Sequence, residues 1–106
     1  MKQIRLEQFK TDVLDSSQPV ILFFSSAWCS GCGPEHAILN EMEEDYPEIS
    51  FIMVNADETA ALNTLMHVSS LPSLFAMYKG KVWDRTDGFV PAERVVQMCE
   101  KLPVNV

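Results

Sequence analysis

One junction constrains this chain more than any other feature. The run Val20-Ile21-Leu22-Phe23-Phe24 is apolar without alternation, and Trp28-Cys29-Ser30-Gly31-Cys32 follows it closely. An unalternating apolar run predicts a strand covered on both faces, central in a sheet with helices on either side. A helical pattern comes next, from about residue 34 to residue 46, with Ala37, Ile38, Leu39 and Met42 on one side. Glu35, Glu41, Glu43, Glu44 and Asp45 supply its wet side, and Pro47 ends it. In the turn between strand and helix, two sulfurs spaced Cys-x-x-Cys can bond without unfolding anything. Strand, Cys-x-x-Cys and helix in that order point to thiol–disulfide chemistry.

The remaining pattern builds a sheet around the junction. Ile4 opens a short first strand, and Leu6, Phe9, Val13 and Leu14 predict a short amphipathic helix over 6–14. Ser50 to Asn55 predicts a second covered strand, and Glu58 to His67 a helix with Ala61, Leu62, Leu65 and Met66 inward. Leu74 to Tyr78 and Lys81 to Asp84 flank Lys79-Gly80, a hairpin turn in which glycine supplies positive φ. A last helix follows Pro91, with Val95, Met98, Cys99 and Leu102 as its core stripe. The expected class is α/β: a central mixed β-sheet flanked by helices on both faces, in one domain over 1–106.

Composition narrows the function. The 106 residues carry a net charge of −7, which argues against nucleic acid and against anionic membranes as partners. Val20 to Phe24 is far too short to span a bilayer, and Met1 to Glu7 has no apolar leader core, so the expected location is cytoplasmic. Three cysteines are too few, and odd in number, for a disulfide scaffold.

Cys29, at the start of a helix behind Trp28, is the expected nucleophile, because free backbone N–H groups there favour a thiolate. It would attack a substrate disulfide, and Cys32 would resolve the mixed disulfide. Cys29, Cys32 and His36 also have a C-x2-C-x3-H spacing, but no fourth zinc ligand is evident and no metal is expected. Cys99 reads as a buried structural thiol.

Trp28-Cys29-Ser30-Gly31-Cys32 resembles the Trp-Cys-x-x-Cys site of the thioredoxin family. Phe9-x-Thr11-Asp12-Val13-Leu14, Pro19-Val20, Ile38-Leu39, Asn55-x-Asp57, Leu71-Pro72-Ser73, Lys79-x-Lys81 and Gly88 fall in thioredoxin order, so the resemblance covers nearly the whole chain. It implies the thioredoxin fold and a cis bond before Pro72. It also implies a substrate surface made by Trp28, Leu71, Pro72, Gly88 and Phe89, with Leu71 offering its backbone to an extended segment. The implied activity is that of a protein-disulfide oxidoreductase, acting as a monomer on disulfide-containing proteins. It would use no cofactor beyond the cysteine pair and draw electrons from a separate thioredoxin-reductase-type donor.

The chain departs from that family where the cysteines are supported. Ser30-Gly31 replaces Gly-Pro between them, Phe23 stands where thioredoxins bury an acid, and Met53 stands for that acid's lysine partner. Ala37 takes the place of the helix-kinking proline, while Pro34 follows Cys32 by two residues. The helix either begins at Pro34, where the proline costs nothing, or has a distorted first turn that covers both cysteines, the arrangement favoured here. His36, four residues after Cys32, would share its face and could replace the missing acid as proton acceptor. The competing reading is a partly exposed or structurally hydrogen-bonded imidazole. Glu35 ranks behind it and is expected in solvent. These departures keep a second function class open, a thioredoxin-fold binding module with little turnover, although docking alone would need neither cysteine.

Overall fold

The computed structural model describes residues 1–103. Its strands are β1 (Lys2–Ile4), β2 (Val20–Ser25), β3 (Ser50–Asn55), β4 (Ser73–Tyr78) and β5 (Lys81–Asp87), and its α-helices are α1 (Cys32–Asp45), α2 (Ala60–Leu65) and α3 (Ala92–Lys101). One mixed sheet runs in the order β1-β3-β2-β4-β5. The first three strands are mutually parallel, and β4 is antiparallel to both β2 and β5. This is the thioredoxin fold class expected from the sequence, with β2 in the middle.

The unalternating run of β2 feeds two cores. Ile21 and Phe23 face a layer with Leu39 and Met42 of α1 and Val95, Met98 and Cys99 of α3. Leu22 and Phe24 face the opposite layer, with Phe9, Val13 and Leu62. Phe23, Phe24, Phe51 and Phe75 are fully buried, each contributing about 2 kcal/mol of apolar burial. Lys79 and Gly80 both take positive φ (51° and 77°), the conformation of a two-residue hairpin turn whose twist matches the strands. Asp84 of β5 receives Arg94 of α3 at 2.6 and 2.9 Å and Lys101 at 3.2 Å, which pins α3 to the sheet edge.

Three local expectations are corrected. Residues 6–14 are not one α-helix but a 3-10 turn (Leu6–Gln8) followed by a π turn (Lys10–Leu14), closed by Asp15 N–H donating to the Lys10 carbonyl at 2.8 Å. Phe9 and Val13 both reach the core, while Leu6 is exposed. The second helix is only Ala60–Leu65; Leu62 is its buried residue, and Ala61 and Leu65 face solvent. The third correction concerns α1. Its buried stripe is Cys32, Glu35, Leu39 and Met42, and Ala37 is exposed. Leu39 and Met42 face inward as expected and Ile38 packs half-buried against the same layer, but the stripe runs back through Glu35 to Cys32 rather than through Ala37.

Candidate active site

β2 delivers the chain to the cysteines through a tight turn. Ser26 holds it, accepting Trp28 N–H on its hydroxyl at 3.0 Å and Cys29 N–H on its carbonyl at 3.3 Å. Cys32 N–H then donates to the Cys29 carbonyl at 3.2 Å. Cys29 and Cys32 are joined as a disulfide with their Cα atoms 5.4 Å apart. The helix begins at Cys32, so it covers that residue and leaves Cys29 in the preceding turn. This corrects the expectation that a distorted first turn covers both. Pro34 sits third in α1, and its missing N–H would have sought the Ser30 carbonyl, which lies outside the helix. The first helical bond comes one residue later, from Glu35 N–H to the Gly31 carbonyl at 3.2 Å. The proline therefore costs no hydrogen bond.

The two sulfurs differ in access. Cys32 is 5% exposed and belongs to the α1–α3 core layer, whereas Cys29 is half-buried at the rim. A groove of about 400 Å³ opens beside Cys29, lined by Ser26, Trp28, Ser30, Gly31, Ser69, Ser70 and Leu71. Trp28 is 90% exposed at one side of the cysteines, and Phe89 is 49% exposed. The Leu71–Pro72 bond is cis. Pro72 and Phe89 both close on Gly31: a Cβ there would lie 3.3 Å from Pro72 Cδ and 3.5 Å from Phe89 Cβ. Gly88, at φ 85°, donates its N–H to the Pro72 carbonyl at 2.8 Å and so fixes the two loops together. Trp28, Leu71, Pro72, Gly88 and Phe89 thus gather around the cysteine pair. Arg85 suspends the preceding loop, donating to the carbonyls of Met66 (3.1 Å) and His67 (3.2 Å) and to Asp87 (2.8 Å).

Support beneath the pair is apolar on the sheet side. Phe23 and Met53 are direct partners in the β2–β3 register. His36 is half-buried, and its ring stacks over Phe23 at 6.2 Å between centroids. It lines a second cavity of about 430 Å³ with Cys29, Cys32, Gly33 and Met53, open between the turn and the sheet. Among the described residues no cluster of three or more His, Cys, Asp or Glu side chains could hold a metal ion.

The sequence reading missed Glu35. It is fully buried, not solvated. Its Oε1 accepts Val90 N–H at 3.0 Å, and its Oε2 is buried without a partner. Burial holds its carboxyl above the usual range, a rise that the Val90 N–H partly offsets. The signal available in the sequence was position: Glu35 shares the stripe of Cys32, Leu39 and Met42. Cys99, buried in the same layer, has its thiol pushed up to about 12 by desolvation and stays protonated.

A family profile described as Thioredoxin matches residues 1–101. Thioredoxin 1 of Nostoc sp. is 31% identical over 100 residues, covering 93% of this chain and 94% of that protein. Thioredoxin of Synechocystis sp. is 29% identical with the same coverage. Thioredoxin Y2, chloroplastic, of Arabidopsis thaliana is 28% identical over 100 residues, and the match spans 60% of that longer protein.

Proposed function

The chain belongs to the thioredoxin family and is a thiol–disulfide oxidoreductase, and from that premise we propose that it runs as a reductase of protein disulfides. The observation that carries this reading is the asymmetry of the Cys29–Cys32 pair: the rim sulfur is reachable from the groove and its partner is buried behind it. In the reduced protein the Cys29 thiolate attacks one sulfur of a substrate disulfide. That S–S bond breaks, a Cys29–substrate disulfide forms, and the first substrate thiolate leaves to take a proton from water. Cys32, losing its proton, then attacks Cys29 sulfur. The mixed disulfide breaks, the Cys29–Cys32 bond forms, and the second substrate thiolate leaves. Two electrons pass to the substrate, and a separate reductase of the thioredoxin-reductase type returns them to the pair.

The site supports an extended substrate segment lying along Leu71 and Pro72, with Trp28, Gly88 and Phe89 as the apolar rim. His36 we assign to the wall of the open cavity behind Cys32, where its ring packs on Phe23. Among the described residues no helix is long and apolar enough to cross a membrane. We place the protein, as a monomer, in a reducing compartment such as the cytoplasm, because a dithiol must be regenerated there and Cys99 remains a free buried thiol.

Reduction of insulin disulfides, driven by a dithiol reductant, tests the reading. Wild type should accelerate it, Cys29→Ser should abolish the acceleration, and Cys32→Ser should accumulate mixed disulfides. A wild type that reduces nothing under any donor would overturn it in favour of a docking module.

A further inference from the structure

The reaction above leaves one proton without a destination. Cys32 must lose it in the resolving step, and the sheet beneath offers Phe23 and Met53, neither of which can accept it. We propose that Glu35 is the proton acceptor for Cys32, supplied from the helix rather than from the sheet. The proposal rests on Cys32 being the resolving thiol.

Three observations place the carboxyl. Glu35 follows Cys32 by one helical turn on the same buried stripe of α1. Side chains of a helix lean towards its N-terminus and cover the preceding turn, so this carboxyl leans towards the turn that Cys32 opens. The second observation is its anchor. Oε1 is fixed by Val90 N–H at 3.0 Å, and the neighbouring Phe89 packs against the position of Gly31. The carboxyl is thereby held at the level of the redox turn, not further down the helix. The third is the free oxygen. Oε2 is buried and has no hydrogen-bond partner while the cysteines are joined as a disulfide. A buried polar atom left open in this way is costly unless another state of the molecule uses it. Opening the disulfide supplies the missing partner, the S–H of Cys32.

The step balances without any other reagent. The Cys32 S–H bond breaks, its proton goes to Oε2, and the electron pair left on sulfur forms the bond to Cys29 as the substrate thiolate departs. Glu35 ends as a carboxylic acid. Desolvation raises its pKa, which makes the carboxylate a stronger base towards a thiol than one in water. Few other titratable groups share this surrounding. His36, from the same helix, lines the open cavity that Cys32 and Met53 also line and Glu35 does not. The segment before α3 contributes only the Val90 backbone. α3 contributes Cys99, whose thiol stays protonated. Among the described residues Glu35 has no ion-pair partner.

The experiment is the equilibrium of the cysteine pair with glutathione from about pH 5 to pH 9, in wild type, Glu35→Gln and His36→Gln. Glutamine keeps an oxygen for Val90 N–H but cannot take a proton. The wild-type potential should bend away from its straight pH line where Glu35 titrates. Glu35→Gln should lose the bend and slow release of the second thiol by at least about tenfold, while His36→Gln keeps both. A Glu35→Gln profile identical to wild type, or a bend lost in His36→Gln instead, overturns the proposal. Carboxyl NMR of the wild type gives an independent check should the variant fold poorly. Glu35 should titrate differently in the oxidised and reduced proteins, and identical titration overturns the assignment. Neither measurement uses a protein disulfide as substrate. A failure of the reductase reading in the insulin assay therefore remains separate from a failure of this one.

Discussion

Gly31 and Pro72 face each other so closely that a methyl group on the glycine would stand 3.3 Å from Cδ of the proline ring. Glycine is required here by space rather than by backbone angle, since Gly31 has φ −82°. Gly31→Ala should therefore leave the helix start intact but push Pro72 outward by a few tenths of an ångström. We expect a loss of about 1 kcal/mol in stability and a several-fold fall in kcat/KM for protein disulfides. Thermal unfolding together with insulin reduction measures both.

Trp28 is the most exposed large side chain of the site, at 90%. Its removal should hardly touch the fold: Trp28→Ala should change stability by no more than about 0.5 kcal/mol. Binding should suffer more, because exposed aromatic side chains that become covered carry much of an interface's energy. We expect kcat/KM for a protein disulfide to fall about tenfold or more while reduction of a small disulfide reagent is unchanged. Parallel assays on the two substrates check the difference.

Asp84 and Glu35 pull the pH dependence of stability in opposite directions. Arg94 chiefly, with Lys101, holds the Asp84 carboxyl down to about 2 against burial. Its contribution is present above the unfolded value near 3.8 and is lost as pH falls towards 2; it amounts to about 2 kcal/mol. Glu35 is raised, so the folded protein holds more protons than the unfolded chain, and its burial costs stability as pH climbs past 4.5. The pH of greatest stability should lie on the acidic side of neutral. Asp84→Asn should remove the loss below pH 4, and Glu35→Gln should stabilise the protein at neutral pH. Urea unfolding across pH measures each slope.

Cys99 should be inert in the folded protein. It is completely buried, and its thiol is pushed up to about 12. Iodoacetamide should label reduced Cys29 and leave Cys99 unmodified until urea is added, as peptide mass spectrometry would show. Cys99→Ser buries a hydroxyl among Val95, Met98 and Leu102 and should cost about 1–3 kcal/mol without altering the reaction.

The strands were legible because their signals were local. Val20–Ser25 and Ser50–Asn55 stand where the unalternating apolar runs placed them, and Lys79-Gly80 makes the turn that its residues favour. The helices were less so. α1 has acids around much of its circumference, and a pattern that sends every acid to solvent places Leu39 and Met42 correctly but misplaces Glu35. Only packing against Val90 and α3 shows that Glu35 goes inward. Residues 6–14 failed differently: Phe9 and Val13, four apart, both point inward, as they would on an α-helix, so their spacing carries no signal of the 3-10 and π turns found there. The cysteines and the rim residues could be named from motifs, whereas what lies beneath them depended on contacts between distant parts of the chain.

The hydrogen bond from Val90 to Glu35 spans 55 residues. Contacts of such separation form late, because a long stretch of chain must be closed before they can be made. The cysteines, three residues apart, are under no such constraint and can meet as soon as their turn exists. Closure of the cysteine pair can therefore precede the contact that anchors Glu35 behind it. A nascent chain ending short of residue 90 would carry the cysteine pair without the N–H that anchors Glu35.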